Sequence, residues 1–545
     1  MRTNTLAFLA LALLVVGRFA DADTYPRQPG VDAQHYVFRV TLADETDEIV
    51  SEATVRVRFA KDGVTDVFLD LASAAAGKGM VVSEVTSAGQ PVTFAHESNR
   101  LRLTLASPSK AGDDVAFFVK YRGVPAAGLR IGPNKYKERT FFSSNWPDKA
   151  RQWLPMIDHP SDKATGEFIV TAPAHYQVVA NGLCVEEADL PGGLRRTHWR
   201  QSVPIASWLF NIGVAHFTVH RAGAVKGVPL ETWVFTQDRD VGLPAFEVPS
   251  RQAIEFFSEH VGPYPYEKVG SVEAAGVGGG MEHASAVFYG EGSVTGRSLV
   301  GLVVHELAHS WFGDGVIERD WDDVWLSEGF ATYLTLLFTE HVDGRDAFVA
   351  GLRRARETVM ATEKKLPDAP IVHRNLADMR QVLSSLQYQK GAWVLHMLRG
   401  LIGTEQFWTG IRTYYDRYRD ANASTDDFRR VMEEVSGTSL SAFLTQWLTR
   451  PGEPAFQGTW RYDAAVKKVE IELTQTQPAE PFRLPLEIGL SFPDAAQMRI
   501  EKVEITGRQH RFTFAADTQP TSVVLDPNVW ALMQPPVFAK RAPAQ

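Results

Sequence analysis

From about Tyr36 to Val225, apolar and polar positions alternate with a period of two. Examples are Tyr36-Val37-Phe38-Arg39-Val40-Thr41-Leu42, Ala53 to Phe59 and Val115 to Tyr121, with Gly, Asp and Pro between such runs. This pattern predicts half-buried strands, and no long helical pattern interrupts it. Near Val225 the pattern changes. Residues 254–261 read as a helix, followed by the loop Gly262-Pro263-Tyr264-Pro265-Tyr266. Leu299, Val300, Leu302, Val303, Val304, Leu307, Ala308, Trp311 and Phe312 make the next segment apolar nearly all round, which predicts a buried helix. A second apolar helix is expected to run through Tyr333 to Phe338, with Asp322 and Asp323 as its N-caps. Residues 345–362 and 391–448 read as amphipathic helices, stopping near Arg450-Pro451-Gly452-Glu453-Pro454. Alternation then returns in Val469 to Leu473, Leu484 to Leu490, Phe512 to Phe514 and Val523 to Leu525, as a small β-sandwich would require. The expected architecture is a multidomain α+β chain. It has an N-terminal β-sheet domain over 23–225, a mixed α/β domain over 226–450 and a C-terminal β-sandwich over 451–545.

Residues 1–22 read differently. Arg2 precedes an apolar run from Leu6 to Gly17, and Ala20-Asp21-Ala22 offers an A-x-A cleavage site. The run is too short to span a bilayer comfortably, so it reads as a secretory signal cleaved after Ala22. The expectation is an exported protein, periplasmic or secreted, with no membrane attachment after cleavage. A net charge of −9 points to neither nucleic acid nor an anionic membrane as partner. Cys184 is the single cysteine, which excludes an intrachain disulfide; its strand-and-turn setting reads as a buried small hydrophobe.

The candidate chemistry lies on the buried helix, in Val304-His305-Glu306-Leu307-Ala308-His309. Positions i and i+4 share a helix face, so His305 and His309 can point two imidazoles at one metal ion. Glu306 lies beside them, placed to hold a water. H-E-x-x-H is a recognised zinc-protease pattern, but three fixed residues also recur by chance. The helix argues against chance, because burying Glu306 and two histidines without partners would cost several kcal/mol. Glu328 follows in Trp325-Leu326-Ser327-Glu328-Gly329-Phe330-Ala331. A His, His, Glu set suits zinc and leaves a fourth position for water.

The spacing resembles the gluzincin proteases. The segments His305 to Asp314 and Trp325 to Ala331 resemble the M1 family of zinc aminopeptidases. That family usually has Asn where Ser327 stands, which implies altered support for a ligand, not loss of the metal. Asn145 to Thr165 resembles the family's N-terminal domain signature. Many members place an acidic or amide residue there to help hold the substrate's amino group; Trp146 falls at that position, with Asn145 beside it. Gly279-Gly280-Met281-Glu282-His283 resembles the family's Gly-x-Met-Glu-Asn exopeptidase loop. Read from the residues alone, the glycine run is a flexible turn or a place of close backbone approach. The resemblance implies substrate binding by Gly279, Gly280, Met281 and Glu282, with Glu282 on the free α-ammonium. His283 departs from the usual Asn, which bears on loop geometry and pH response. Leu386 to Ala392 resembles the family's Tyr-x-Lys-Gly segment, in which Tyr388 would stabilise the oxyanion. The implied protein is a three-domain M1 aminopeptidase with a thermolysin-like catalytic domain, lacking the large helical C-terminal domain. It would hold one zinc per chain on His305, His309 and Glu328, use Glu306 as general base, and act on peptides with a free N-terminus. A zinc endopeptidase would share the metal site without needing Glu282. A non-catalytic peptide-binding module would be free to lose one of His305, Glu306, His309, Glu328 and Tyr388.

Overall fold

The computed structural model describes residues 23–493 and 495–541; the expected signal segment lies outside them. Alternation builds an eight-stranded sheet whose central strands are Lys163–Pro173, Val31–Thr41 and Ile49–Phe59. Every second residue of Lys163–Pro173 is buried, and Phe168 and Val170 join Phe38, Val40 and Trp153 in the core. Three- and four-stranded sheets complete this N-terminal region. Leu183–Leu190 is an edge strand of the eight-stranded sheet, with a bulge between Cys184 and Glu186. Cys184 is exposed there. Its expected burial is therefore corrected: an edge strand beside a bulge has no layer over this face.

A five-stranded sheet follows, in the order Phe217–Val225, Val228–Phe235, Val269–Ala274, Ala286–Gly290, Gly280–Met281. The expected division at 225/226 falls in the turn of its first hairpin, so this sheet begins at Phe217. Eight α-helices are described: α1 (Arg239–His260), α2 (Val300–His309), α3 (Trp325–Asp343), α4 (Arg345–Glu363), α5 (Gly391–Ile402), α6 (Thr404–Tyr418), α7 (Thr425–Ser436) and α8 (Ser441–Thr449). α1 begins well before residue 254, where Pro244 and Pro249 obscure the helical period.

The expected capping of α3 by Asp322 and Asp323 is also corrected. Val324 is its N-cap and no side chain caps it. Asp323 instead accepts the N–H of Thr425 (3.1 Å), the first residue of α7. Asp322 accepts the N–H groups of Asn375 (2.8 Å) and Leu376 (3.0 Å). A carboxylate before a helix serves whichever free N–H groups the tertiary fold brings to it. Strands Phe456–Asp463, Lys468–Gln475, Gln509–Ala515 and Val537–Lys540 form one C-terminal sheet; Leu484–Ser491, Arg499–Ile505 and Ser522–Leu525 form the other. No described helix is long and apolar enough to cross a membrane.

Lys163 ties the first domain to the second. Its Nζ donates to the carbonyls of Asp314 (2.9 Å), Gly315 (2.9 Å) and Ala421 (3.4 Å). Burial pulls this ammonium down to about 8, against nearby carboxylates. It thereby clamps the turn that follows the H-E-x-x-H helix.

Candidate active site

One helical turn separates His305 from His309 on α2, and their Nε2 atoms lie 3.3 Å apart. Glu328, in the first turn of α3, brings Oε2 to 3.5 Å from His305 Nε2 and 3.4 Å from His309 Nε2. Tetrahedral ligands held about 2.1 Å from a zinc ion stand about 3.4 Å from one another, which these three edges match. Glu328 Oε2 is buried without a hydrogen-bond donor, so a cation is the partner this atom lacks. The donor set and its spacing fit zinc. Burial would raise the Glu328 carboxyl, but the two imidazoles outweigh it and hold the group at about 2. His305 is the more open of the two histidines, with 21% of its side chain exposed, and marks the side from which the site is reached.

Ser327 stands directly behind this triangle. Its Oγ lies 3.0 Å from His309 Nδ1, and the Phe312 carbonyl lies 3.3 Å from the same nitrogen. A carbonyl can only accept, so Nδ1 carries a proton and Nε2 is the nitrogen left to face the triangle. The departure at Ser327 thus touches a ligand's outer nitrogen and leaves the ligand set intact.

Glu306 is buried next to the ligands. Burial, reinforced by the neighbouring Glu282 carboxylate, pushes it well above the usual carboxylate range. The glycine run ends in a two-residue edge strand: Gly280 pairs with Tyr289 and Met281 with Phe288. What approaches Gly280 most closely is Glu306, because a Cβ there would stand 2.2 Å from its Oε1. Glycine at 280 therefore lets the strand close over Glu306 and carry Glu282 toward the His305–His309–Glu328 group. Glu282 is buried, and burial raises its carboxyl while His309 opposes the shift.

His283 points away from this chemistry. Its ring is fully buried, lies edge-on to Phe288 at 4.9 Å, and has no hydrogen-bond partner on either nitrogen. Burial pulls it down to about 3, so the ring is neutral at physiological pH and packs as an apolar group.

Tyr388 sits in a single π-helical turn, Leu386–Lys390, immediately before α5. Such turns are frequent at functional sites. Its ring lies parallel to that of His305 at 6.1 Å. Burial and the Glu328 charge keep the phenol protonated far above its ordinary range, as a hydrogen-bond donor must be. The turn is pinned from behind. Gln387 Oε1 accepts from the Ser384 N–H and Oγ–H, both 2.8 Å, and its Nε2 donates to the Ile371 carbonyl at 2.7 Å. Lys390 Nζ donates to Glu363 at 2.6 Å. A Cβ on Gly391 would stand 3.0 Å from the Gly329 Cα, so two glycines let this turn press against α3 beside Glu328. These supports are spread along the chain, and only the paired glycines signal them in the sequence.

Asn145 is not free for a substrate. Its Nδ2 donates to the Phe210 carbonyl (2.6 Å) and its Oδ1 accepts from Trp153 Nε1 (2.9 Å), in a fully buried position. Trp146 lies edge-on to Trp321 at 5.9 Å.

Two histidines one turn apart, a carboxylate from the next helix and a neighbouring glutamate form the arrangement of the H-E-x-x-H zinc peptidases, on a frame of β-domain, mixed α/β domain and β-sandwich. The sequence matches the Peptidase M1 N-terminal domain over residues 32–209 and the Peptidase family M1 domain over residues 246–447. The chain belongs to peptidase family M1. Among curated relatives it is 26% identical to the glutamyl aminopeptidase of Bitis rhinoceros over 484 residues, 83% of this chain and 49% of that one. It is 25% identical to the mouse glutamyl aminopeptidase over 64% of this chain and 38% of that protein. It is also 25% identical to the tricorn protease-interacting factor F2 of Thermoplasma acidophilum over 78% and 54%. The chain thus spans between 38% and 54% of these relatives' lengths. An M1 zinc metallopeptidase from Deinococcus radiodurans has the same fold, with a TM-score of 0.67 and 27% identity over 78% of this chain and 95% of that one. A structure of a mutant of that enzyme bound to a Tyr-Ser-Ala substrate is equally similar, with a TM-score of 0.67 and 27% identity over 78% of this chain and 96% of that one.

Proposed function

We propose that this protein is a zinc-dependent aminopeptidase that removes N-terminal residues from peptides, and that it works outside the cytoplasm after loss of residues 1–22. The observation that carries the reading is the pairing of two buried carboxylates, Glu282 and Glu306, around the His305–His309–Glu328 triangle. A hydrolytic metal site needs one such base; a second acid beside it suits a substrate that brings its own positive charge.

Zinc bound by His305, His309 and Glu328 supplies Lewis acidity to the water and the scissile carbonyl. Glu306, with its raised proton affinity, takes a proton from the attacking water and returns it to the leaving amine. Tyr388 donates its phenolic O–H to the developing oxyanion. Glu282 accepts the substrate's α-ammonium, a charge-assisted contact that only a chain terminus can make, and so admits one residue before the scissile bond. The edge strand Gly280–Met281 offers backbone groups along which an extended peptide can lie.

Mass spectrometry of a peptide digest tests this. A free peptide should shorten one residue at a time from its N-terminus, while its N-acetylated twin persists. Internal cuts in both peptides would turn the reading into that of an endopeptidase.

A further inference from the structure

Asp322 is a buried carboxylate held only by backbone amides. Its Oδ1 accepts the N–H of Leu376 (3.0 Å), and its Oδ2 accepts those of Asn375 (2.8 Å) and Asp23 (3.3 Å). It is 5% exposed, and among the described residues no Lys, Arg or His side chain pairs with it. Its sequence neighbour Asp323 likewise accepts only from Thr425, but other carboxylates of this region have cationic partners. Asp23 Oδ2 lies 2.9 Å from His159 Nε2, Asp320 pairs with Arg27, and Asp158 pairs with Arg151 at 2.9 Å. A buried charge without a countercharge is costly. The one partner that could become a cation is the nitrogen of Asp23, which is a neutral amide inside a chain and an ammonium at a chain terminus.

We propose that Asp23 is the first residue of the mature protein, and that its α-ammonium forms a buried ion pair with Asp322. Hydrolysis of the Ala22–Asp23 bond by a leader-removing peptidase consumes one water. The hydroxyl goes to the Ala22 carbonyl, the bond electrons stay on nitrogen, and the freed amine takes up protons to become the ammonium. The inference rests on the reading of residues 1–22 as a removed leader, and is independent of the reaction assigned to the site.

The first residues form a strap across both supports of the active site. The Asp23 carboxylate accepts the Trp321 N–H (3.2 Å), in the turn that leads into α3 and Glu328. Thr24 N–H donates to the Leu376 carbonyl (3.2 Å), in the segment that leads to the Tyr388 turn. Tyr25 stacks on His159 at 4.6 Å, anchoring the strap to the N-terminal domain. Leader removal would thus supply the charge that fastens these three segments together, coupling processing to assembly of the site.

The test compares four full-length mature chains: one starting at Asp23 and one retaining Ala22 as its first residue, each with Asp322 or with Asp322→Asn. The chain starting at Asp23 should melt about 3 °C or more above the longer one, and the gap should vanish with Asp322→Asn. Two parent chains melting within about 1 °C, or a gap that survives in Asp322→Asn, would overturn the ion pair. Should Asp322→Asn fail to fold, an Nα-acetylated chain starting at Asp23 takes its place. It should lose the same increment, and melting equal to the unmodified chain would refute the proposal. N-terminal sequencing of the exported protein separates the two premises: a first residue other than Asp23 overturns the proposal through the leader reading, whatever the melting data show.

Discussion

Gly280→Ala places one methyl group between the strand Gly280–Met281 and the Glu306 carboxylate, the proposed substrate-binding strand and general base. The added Cβ would stand 2.2 Å from Glu306 Oε1, 2.3 Å from its Cδ and 2.4 Å from its Cγ. Ordinary contacts of this kind are about 3.4 Å, so the carboxylate or the strand must move by about 1 Å. Both are confined, since Glu306 is buried and Gly280 pairs with Tyr289. Overpacking of this kind costs about 1–3 kcal/mol of stability. The larger effect falls on catalysis, where a displacement of about 1 Å costs about a hundredfold. The expected result is a kcat/KM on free aminoacyl amides reduced about a hundredfold, with zinc still bound, because none of the three ligands is touched. Gly278→Ala is the control, since a Cβ there meets nothing within 4 Å; it should leave activity within about twofold of the parent. The assay is steady-state kinetics beside elemental analysis of the same preparations. Parent-like kinetics for Gly280→Ala would refute the claim that this strand closes on the base, and zinc loss would show that the strand supports the metal instead.

Four further outcomes are expected. Glu306→Gln should retain zinc and lose at least about a hundredfold in kcat, the usual contribution of a general base; zinc falling in step with activity would contradict that role. Tyr388→Phe should lower kcat more than it raises KM, because the phenol acts on the transition state; an unchanged kcat would reduce Tyr388 to a packing residue. Ser327→Ala removes the hydroxyl beside His309 Nδ1 and should weaken zinc affinity about tenfold or more, read by competition with a chelating dye; unchanged affinity would leave the Phe312 carbonyl as the sole orienting group. His283→Asn should leave the pH–activity profile between about pH 5 and 8 unaltered, because the buried ring is already neutral there. Its depressed value also means that the unfolded chain binds a proton the folded chain refuses, so stability falls as pH drops from about 6.5 toward 3. His283→Asn should therefore unfold at lower pH than the parent in an acid titration; an acid midpoint at or above the parent's would refute that assignment.

The parts of the site legible in the sequence are those that a local period encodes. His305 and His309 follow from one helical turn, and Glu328 from its place on the next apolar helix. The alternating strands and the C-terminal sandwich were legible for the same reason. Glu282 and Tyr388 were legible only through resemblance, because a glycine-rich turn and a tyrosine before a helix are common for other reasons. Long-range contacts left little trace. Asp322 and Asp323 sit where helix caps belong, yet they serve the 375–376 segment and α7, which only the tertiary fold brings near. Cys184 has the sequence setting of a buried residue, and its exposure follows from its strand being an edge. Asn145 lies next to the position at which the family often binds the substrate amine, but the Phe210 carbonyl and the Trp153 indole occupy its amide. Gly280 was legible as a point of close approach, though not as an approach by the chain's own Glu306.

The most direct test of the central claim is kcat/KM of the zinc-loaded protein on an aminoacyl chromogenic amide and on its N-acetylated twin, each repeated with Glu282→Ala. Losing one partner of a buried charge pair costs about 2–4 kcal/mol, about 30- to 1000-fold. The parent should therefore prefer the free amine by at least that factor, while Glu282→Ala should lose most of the preference and keep its zinc. Equal cleavage of both amides by the parent would contradict the aminopeptidase reading, and undiminished preference in Glu282→Ala would remove Glu282 as the amine anchor.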